Sequence, residues 1–216
     1  GDPKSHPIWR NESVCLKCTK QLVKLANATK KNIHILHITT AEEIELLNKN
    51  KKFISYEVTP QHLVLSSPSC YNKLGTLAQM NPAIRSSRHQ NRLRKALKNN
   101  EIDIIGSDHA PHTLSEKKQR YPDSPSGMPG VQTLMPLLLN EVSKKTISIT
   151  NVVELTSFNP IKRFKVKDKG LIKEGYDADF TFVDLSMTKK ISNKLIQSKC
   201  GWTPFHGMKV TGWPVG

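Results

Sequence analysis

The sequence predicts an α/β protein built on a parallel sheet and followed by a small β-rich module, and three observations predict it. Short apolar runs at residues 33–38, 53–58 and 102–105 alternate with helical patterns, the order that crossover helices impose on a parallel sheet. Each run ends in polar residues able to do chemistry, and the C-terminal strand ends are where such folds place it. From Lys169 onward the pattern changes to short extended stretches separated by turn residues.

Residues 11–31 read as an amphipathic helix, with Lys on one side and Val, Leu and Ala on the other. The run 33–38 is the first strand. Thr39 or Thr40 caps a helix over 41–50, with Glu42 and Glu43 in the first turn, where the helix dipole favours acids. Residues 53–58 form the second strand, ended by Thr59-Pro60. Ser, Pro, Gly and Asn punctuate 66–87, which reads as irregular. A helix over 88–99 leads to the third strand, 102–105, and then to Gly-Ser-Asp-His-Ala-Pro-His at 106–112. Residues 113–129 read as a polar loop carrying Lys117, Lys118 and Arg120. A helix with a strongly apolar face runs over 131–144, and a short helix over 151–157 ends before Asn159-Pro160. Residues 170–172 and 179–185 read as strands on either side of the turn 174–177, and 210–216 looks extended.

Composition narrows the function classes. The net charge of +15 invites a nucleic-acid reading, but the lysines are spread over nearly every segment and only 6% of residues are aromatic. No apolar run approaches the length of a membrane span and no charged-then-apolar leader opens the chain, so a soluble, cytoplasmic protein is expected, without nucleic-acid or membrane partners. Four cysteines, Cys15, Cys18, Cys70 and Cys200, are too few and scattered for a disulfide framework. Cys15 and Cys18 form a CxxC, but no second pair follows at zinc-ribbon spacing and they lie in a helical pattern, which favours thiols as filler.

The candidate site is assembled from the strand ends. Asp108 follows the third strand with His109 and His112 beside it, and a carboxylate there can hold a divalent metal or move a proton. In isolation an Asp that caps the following turn is an equal alternative. His34 and His37 differ by an odd number of positions, so strand alternation places them on opposite faces, with His37 nearer the strand end. Glu57 and His62 are polar candidates without a defined geometry. Zinc needs at least three protein ligands to be held tightly with a position left open, so His37 and Asp108 are half of a site.

The series LHITTAEE, YEVTPQHL, NPAIR, IGSDHAPHT, SPSGMPGVQT and GLIKEGYDADFTFVDL resembles the dihydroorotases of the amidohydrolase superfamily, nearest the bacterial type I enzymes, over almost the whole chain and in the same order. The resemblance implies the C-terminal part of a metal-dependent (β/α)8 barrel, about strands 6 to 8, in residues 1–165, followed by a partial β-module in 166–216. It implies that His37 ligates zinc, one or two ions in the complete enzyme, and that Asp108 ligates zinc and acts as general base and acid. Asn81 and His112 would hold the substrate, and the backbone around Ser126 and Gly127 would complete the pocket. The implied reaction is the reversible cyclisation of N-carbamoyl-L-aspartate to L-dihydroorotate in pyrimidine synthesis. Arg85 of NPAIR is a possible anion contact but suits a structural anchor better, and the loop 113–124 is a candidate lid. Ala83, Gln61 and Ser126 depart from the usual family residues, and Ser126 puts the shape of the pocket wall in question.

No HxH motif occurs in the chain, and His6 is expected to be structural. Both ends look cut, and the isolated chain is expected to be inactive and to be poorly soluble or dependent on a partner, because an incomplete barrel exposes a sheet edge. The alternatives are a non-catalytic dihydroorotase-like subunit assembled with aspartate transcarbamoylase, another cyclic amidohydrolase of hydantoinase or allantoinase type, and a basic binding module. A homodimer is also compatible with the resemblance.

Overall fold

The computed structural model describes residues 1–216. A first long helix, Glu12–Thr29, starts where the Asn11 side chain accepts from the Val14 N–H, and ends at Lys30 in the left-handed conformation. Strand β1, Ile33–Ile35, follows. The helix Ala41–Asn48 opens on a reciprocal cap, in which Thr40 accepts from the Glu43 N–H and the Glu43 carboxylate accepts from the Thr40 N–H. Strand β2, Ile54–Val58, the helix Ser87–Lys98 and strand β3, Ile104–Ile105, complete the parallel sheet in the order β1-β2-β3. Ile33 pairs with Ile54, and Val58 with Ile105.

Alternation along β2 sorts the two faces. Ile54, Tyr56 and Val58 are buried against the helix layer, with Val23, Ile44, Leu47, Leu93 and Leu97. Each such aliphatic side chain contributes roughly 1.5–3 kcal/mol on burial. Ser55 and Glu57 lie on the other face and are only partly covered.

The strands are shorter than the sequence predicts. β1 stops at Ile35 because His37 turns left-handed, although the Ile38 N–H still donates to Glu57 O at 2.8 Å. β3 begins at Ile104 because the Asp103 carboxylate, at 2.9 Å, takes the Tyr56 N–H that a strand carbonyl would otherwise accept. The irregular stretch contains helical turns at Ser69–Leu74 and Gly75–Ala78, and His62 lies in a further short helix, Pro60–Val64. The helix expected to end before Asn159-Pro160 instead continues. Ile149–Val153 passes through a π turn, Glu154–Phe158, into Asn159–Phe164, and Pro160 is tolerated because it stands in the first turn of that last segment.

The β-module is a two-stranded antiparallel ladder of β4, Val183–Lys190, and β5, Lys209–Pro214, irregular between Asp184 and Thr188. The strand expected at 170–172 does not form, and the one expected at 179–185 starts instead at Val183. An extended segment becomes a strand only when a neighbour pairs with its backbone, and residues 170–172 have none here. Ile172 is 90% exposed. The ladder packs on the helix Val131–Ser143 through Leu137, Ile191, Phe205 and Val210, and the Thr211 N–H donates to Asn140 Oδ1 at 3.1 Å. No helix is long and apolar enough to cross a membrane.

Candidate functional site

The three parallel strands finish close together, and pairing runs past their ends, since the Gly106 N–H donates to Val58 O at 3.1 Å. Just beyond these ends, His37 and Asp108 have φ of 40° and 42°. Neither is a glycine, and each such left-handed residue costs about 1 kcal/mol or more. The strain falls just beyond the ends of β1 and β3, the two strands on either side of β2.

Burial raises the Asp108 carboxyl above its ordinary pKa, the nearby His37 opposes the shift and Glu57 adds to it. His37 and Glu57 are therefore each within electrostatic reach of Asp108. Glu57 reaches this place because Gly106 has no side chain, for a Cβ there would lie 2.4 Å from Glu57 Oε1. Glu57 Oε2 also pairs with His34 Nε2 at 3.2 Å. β1 ends at Ile35, before His37, so strand alternation does not govern His37, which lies within electrostatic reach of Asp108 while His34 serves Glu57.

His62 is closed off from the site. Its Nε2 donates to Pro82 O at 3.0 Å, which leaves Nδ1 to accept from Thr59 Oγ1 at 2.7 Å. Burial drives its pKa down to about 3, so it is a neutral strut between the end of β2 and the NPAIR segment. Arg85 is likewise an anchor, as the sequence suggested. Buried, it donates to Arg10 O, to Cys15 Sγ at 3.1 Å and to Thr39 Oγ1 at 3.3 Å. His6 is buried with its Nε2 2.9 Å from Met80 O, the structural place expected of it.

The remaining predicted residues sit on loops. Asn81 is exposed, His112 and Ser126 are half-buried, and Gly127 is buried. His112 packs on Gly127, whose φ is 147°, and a Cβ there would meet His112 Cδ2 at 3.0 Å. The Gly127 N–H donates to Gln79 O at 2.9 Å, and Gln79 Nε2 donates to Ser126 Oγ at 3.3 Å, so the Ser126-Gly127 backbone is tied to the segment that carries Asn81. No hydrogen bond joins these loop residues to His37 or Asp108.

The segment 113–124, read from the sequence as a candidate lid, is anchored rather than free. It contains a helical turn, Leu114–Lys117, and Lys117 is completely buried. His109, named only as a neighbour of Asp108, has a capping role that sequence reasoning missed: its Nδ1 accepts from the Gly130 N–H at 3.1 Å and the Val131 N–H at 3.4 Å at the start of the helix that follows. A histidine is not among the common capping residues, so no local signal marked it.

The donor set allows a test for a metal. An imidazole and a carboxylate suit zinc in kind, but no group of three or more His, Cys, Asp or Glu side chains is arranged to hold an ion. His37 and Asp108 fit such a centre as two of its ligands and are too few to hold it by themselves. The Cys15 thiol, raised in pKa by burial, accepts from Arg85, while Cys18 is exposed.

The sequence profile of the Amidohydrolase family matches residues 11–216. This chain belongs to that family. A dihydroorotase of Methanosphaera stadtmanae is 35% identical over 221 residues, covering 97% of this chain and 51% of that protein. A dihydroorotase of Pyrococcus abyssi is 38% identical over 211 residues, covering 97% and 49%. Among solved structures, the L-hydantoinase of Arthrobacter aurescens superposes with a TM-score of 0.88 at 28% identity, covering 93% of this chain and 46% of that one. A dihydropyrimidinase of Brevibacillus agri gives 0.90 at 26%, covering 98% and 48%. The parallel sheet and its helices are thus an amidohydrolase-type fold, and this amidohydrolase chain spans about half the length of the curated relatives it matches.

Proposed function

We propose that this chain supplies one half of a zinc-dependent dihydroorotase site, which interconverts N-carbamoyl-L-aspartate and L-dihydroorotate in cytoplasmic pyrimidine synthesis. The observation that carries the reading is the pair of left-handed residues, His37 and Asp108, with unlike metal donors just beyond the ends of the two strands that flank β2. In this reading β1 to β3 are strands 6 to 8 of an eight-stranded barrel, residues 1–165 belong to the barrel, and 166–216 to the β-module.

His37 and Asp108 would hold the metal with donors from outside these residues. Zinc, when bound, supplies Lewis-acid polarisation of the amide carbonyl under attack. Asp108, with its carboxyl raised by burial, carries a proton between the attacking and leaving groups. His112 and Asn81 hold the substrate carboxylates by hydrogen bonds, with the Ser126-Gly127 backbone as the pocket wall. The retained His37, Asp108 and His112 favour a catalytic chain over a non-catalytic subunit docked on aspartate transcarbamoylase.

A hydantoinase-type activity is the second reading, because the solved structures it resembles carry those names. Turnover of L-dihydroorotate, hydantoin and dihydrouracil by the full gene product with zinc separates the two. We expect dihydroorotate to be hydrolysed, Asp108→Asn to lose at least about 100-fold of that rate, and residues 1–216 alone to show none. Preference for hydantoin or dihydrouracil would overturn the dihydroorotase reading, and full activity of Asp108→Asn would overturn the role of Asp108.

A further inference from the structure

Lys117 is a lysine with no solvent exposure and no acidic partner. Its ammonium group donates to Gln79 O at 2.8 Å and to Pro125 O at 2.7 Å. Its own carbonyl accepts from Thr76 Oγ1 at 2.5 Å and from Ser124 Oγ at 3.1 Å. One residue therefore ties three stretches of chain together, 76–79, 113–117 and 124–127. Two of those stretches run directly into the groups assigned above to the substrate, Gln79 into Asn81 and Pro125 into Ser126 and Gly127.

A buried ammonium without a carboxylate is a costly way to hold loops. Burial alone lowers the Lys117 pKa, to about 8. A methionine of similar length would fill the same space without that cost. What a methionine lacks is a donor for the two carbonyls, and a positive charge behind a pocket that takes an anion.

We infer that Lys117 is a positioning residue for the substrate: its ammonium sets the spacing between the Asn81 and Ser126-Gly127 segments, so that these two walls and the His112 ring packed on Gly127 are already in place for a doubly negative ligand. The segment 113–124 is then a fixed clamp. Lys117 does not touch the reacting atoms and acts only through the loops it joins.

The kinetic side of this inference rests on the dihydroorotase reading, whereas its structural side does not. Two variants of the full gene product test it. Lys117→Met removes charge and donors, and Lys117→Gln keeps a neutral donor in a smaller side chain, which guards against one of them failing to fold. Amide hydrogen exchange is measured over 76–81 and 125–128, and KM and kcat for L-dihydroorotate are measured separately.

The expected result is exchange at least tenfold faster in those two segments only, with the Gly127 N–H as the reporter, and KM raised at least tenfold while kcat changes less than threefold. Lys117→Gln should fall between Lys117→Met and wild type in both measurements. Unchanged exchange in a folded variant overturns the inference. So does a KM that stays fixed, or a kcat that falls as far as KM rises, because a merely structural residue lowers the active fraction and leaves KM alone. If wild type turns over none of the cyclic amides, the functional reading has failed by itself, and unchanged or changed exchange still decides whether Lys117 sets the loops.

Discussion

Substituting Gly127 by alanine should damage both stability and substrate binding, and the structure sets the scale. At φ of 147° the backbone is in a region that side chains rarely enter, and strain of this kind costs of order 1–3 kcal/mol. The new Cβ would also stand 2.5 Å from Ala110 Cβ and 3.0 Å from His112 Cδ2. Carbon atoms pack at about 3.5–4.0 Å, so the 110–112 turn must move, and overpacking of this kind costs roughly 1–3 kcal/mol. Reduced freedom of the unfolded chain returns about 0.4–1 kcal/mol. A net loss of about 1–5 kcal/mol remains, which for a chain of this size lowers Tm by roughly 2–20 °C. Differential scanning fluorimetry reads the Tm, and steady-state kinetics on L-dihydroorotate should show KM raised at least about tenfold, because the displaced group is the His112 ring. A Gly127→Ala protein with Tm within about 2 °C of wild type and an unchanged KM would refute the reasoning that this glycine holds the pocket wall against His112.

His62 makes stability fall in acid. Its folded pKa, about 3, lies below the ordinary value of 6.5, so the unfolded chain takes up the proton first. Its contribution is whole above pH 6.5 and is lost as pH falls toward 3, at up to about 1.4 kcal/mol per pH unit. Urea midpoints of His62→Gln between pH 7 and 4.5 should fall less steeply than those of wild type, and an equal slope would remove His62 as the cause. Arg85→Met strands acceptors on Arg10 and Thr39 and should cost about 2–4 kcal/mol in chemical denaturation, with KM unchanged. A rise in KM at full stability would make Arg85 a substrate contact after all. Cys18→Ser should leave zinc content, by atomic absorption, and Tm as in wild type, whereas lost zinc would make the CxxC pair a metal ligand against the reading of its thiols as filler.

How far the site was legible follows from where each signal resides. Asp108 and His37 could be picked out because short apolar runs end at them and their residue types are uncommon at such places. Their left-handed backbone could not be read, since no local rule asks a histidine or an aspartate to turn there. The structural roles of Lys117, His109 and His62 were missed for a common reason. Each is a polar side chain whose partner lies far along the chain: Gln79 for Lys117, Gly130 for His109 and Pro82 for His62. In sequence a lysine in a polar loop looks solvated, and only the fold shows that its solvent has been replaced by carbonyls. The misplaced strand at 170–172 is the opposite error. Its residues have the composition of a strand, but composition cannot supply the neighbour that a strand must pair with.

Apolar periodicity by itself therefore determined the order of strands and helices, because burying one face is a local demand that every segment states in its own residues. Motif order determined the family. Only the tertiary structure decided which polar residues are struts and which are free to meet a ligand. That distinction depends on hydrogen bonds between residues tens of positions apart, and nothing within a single segment encodes them.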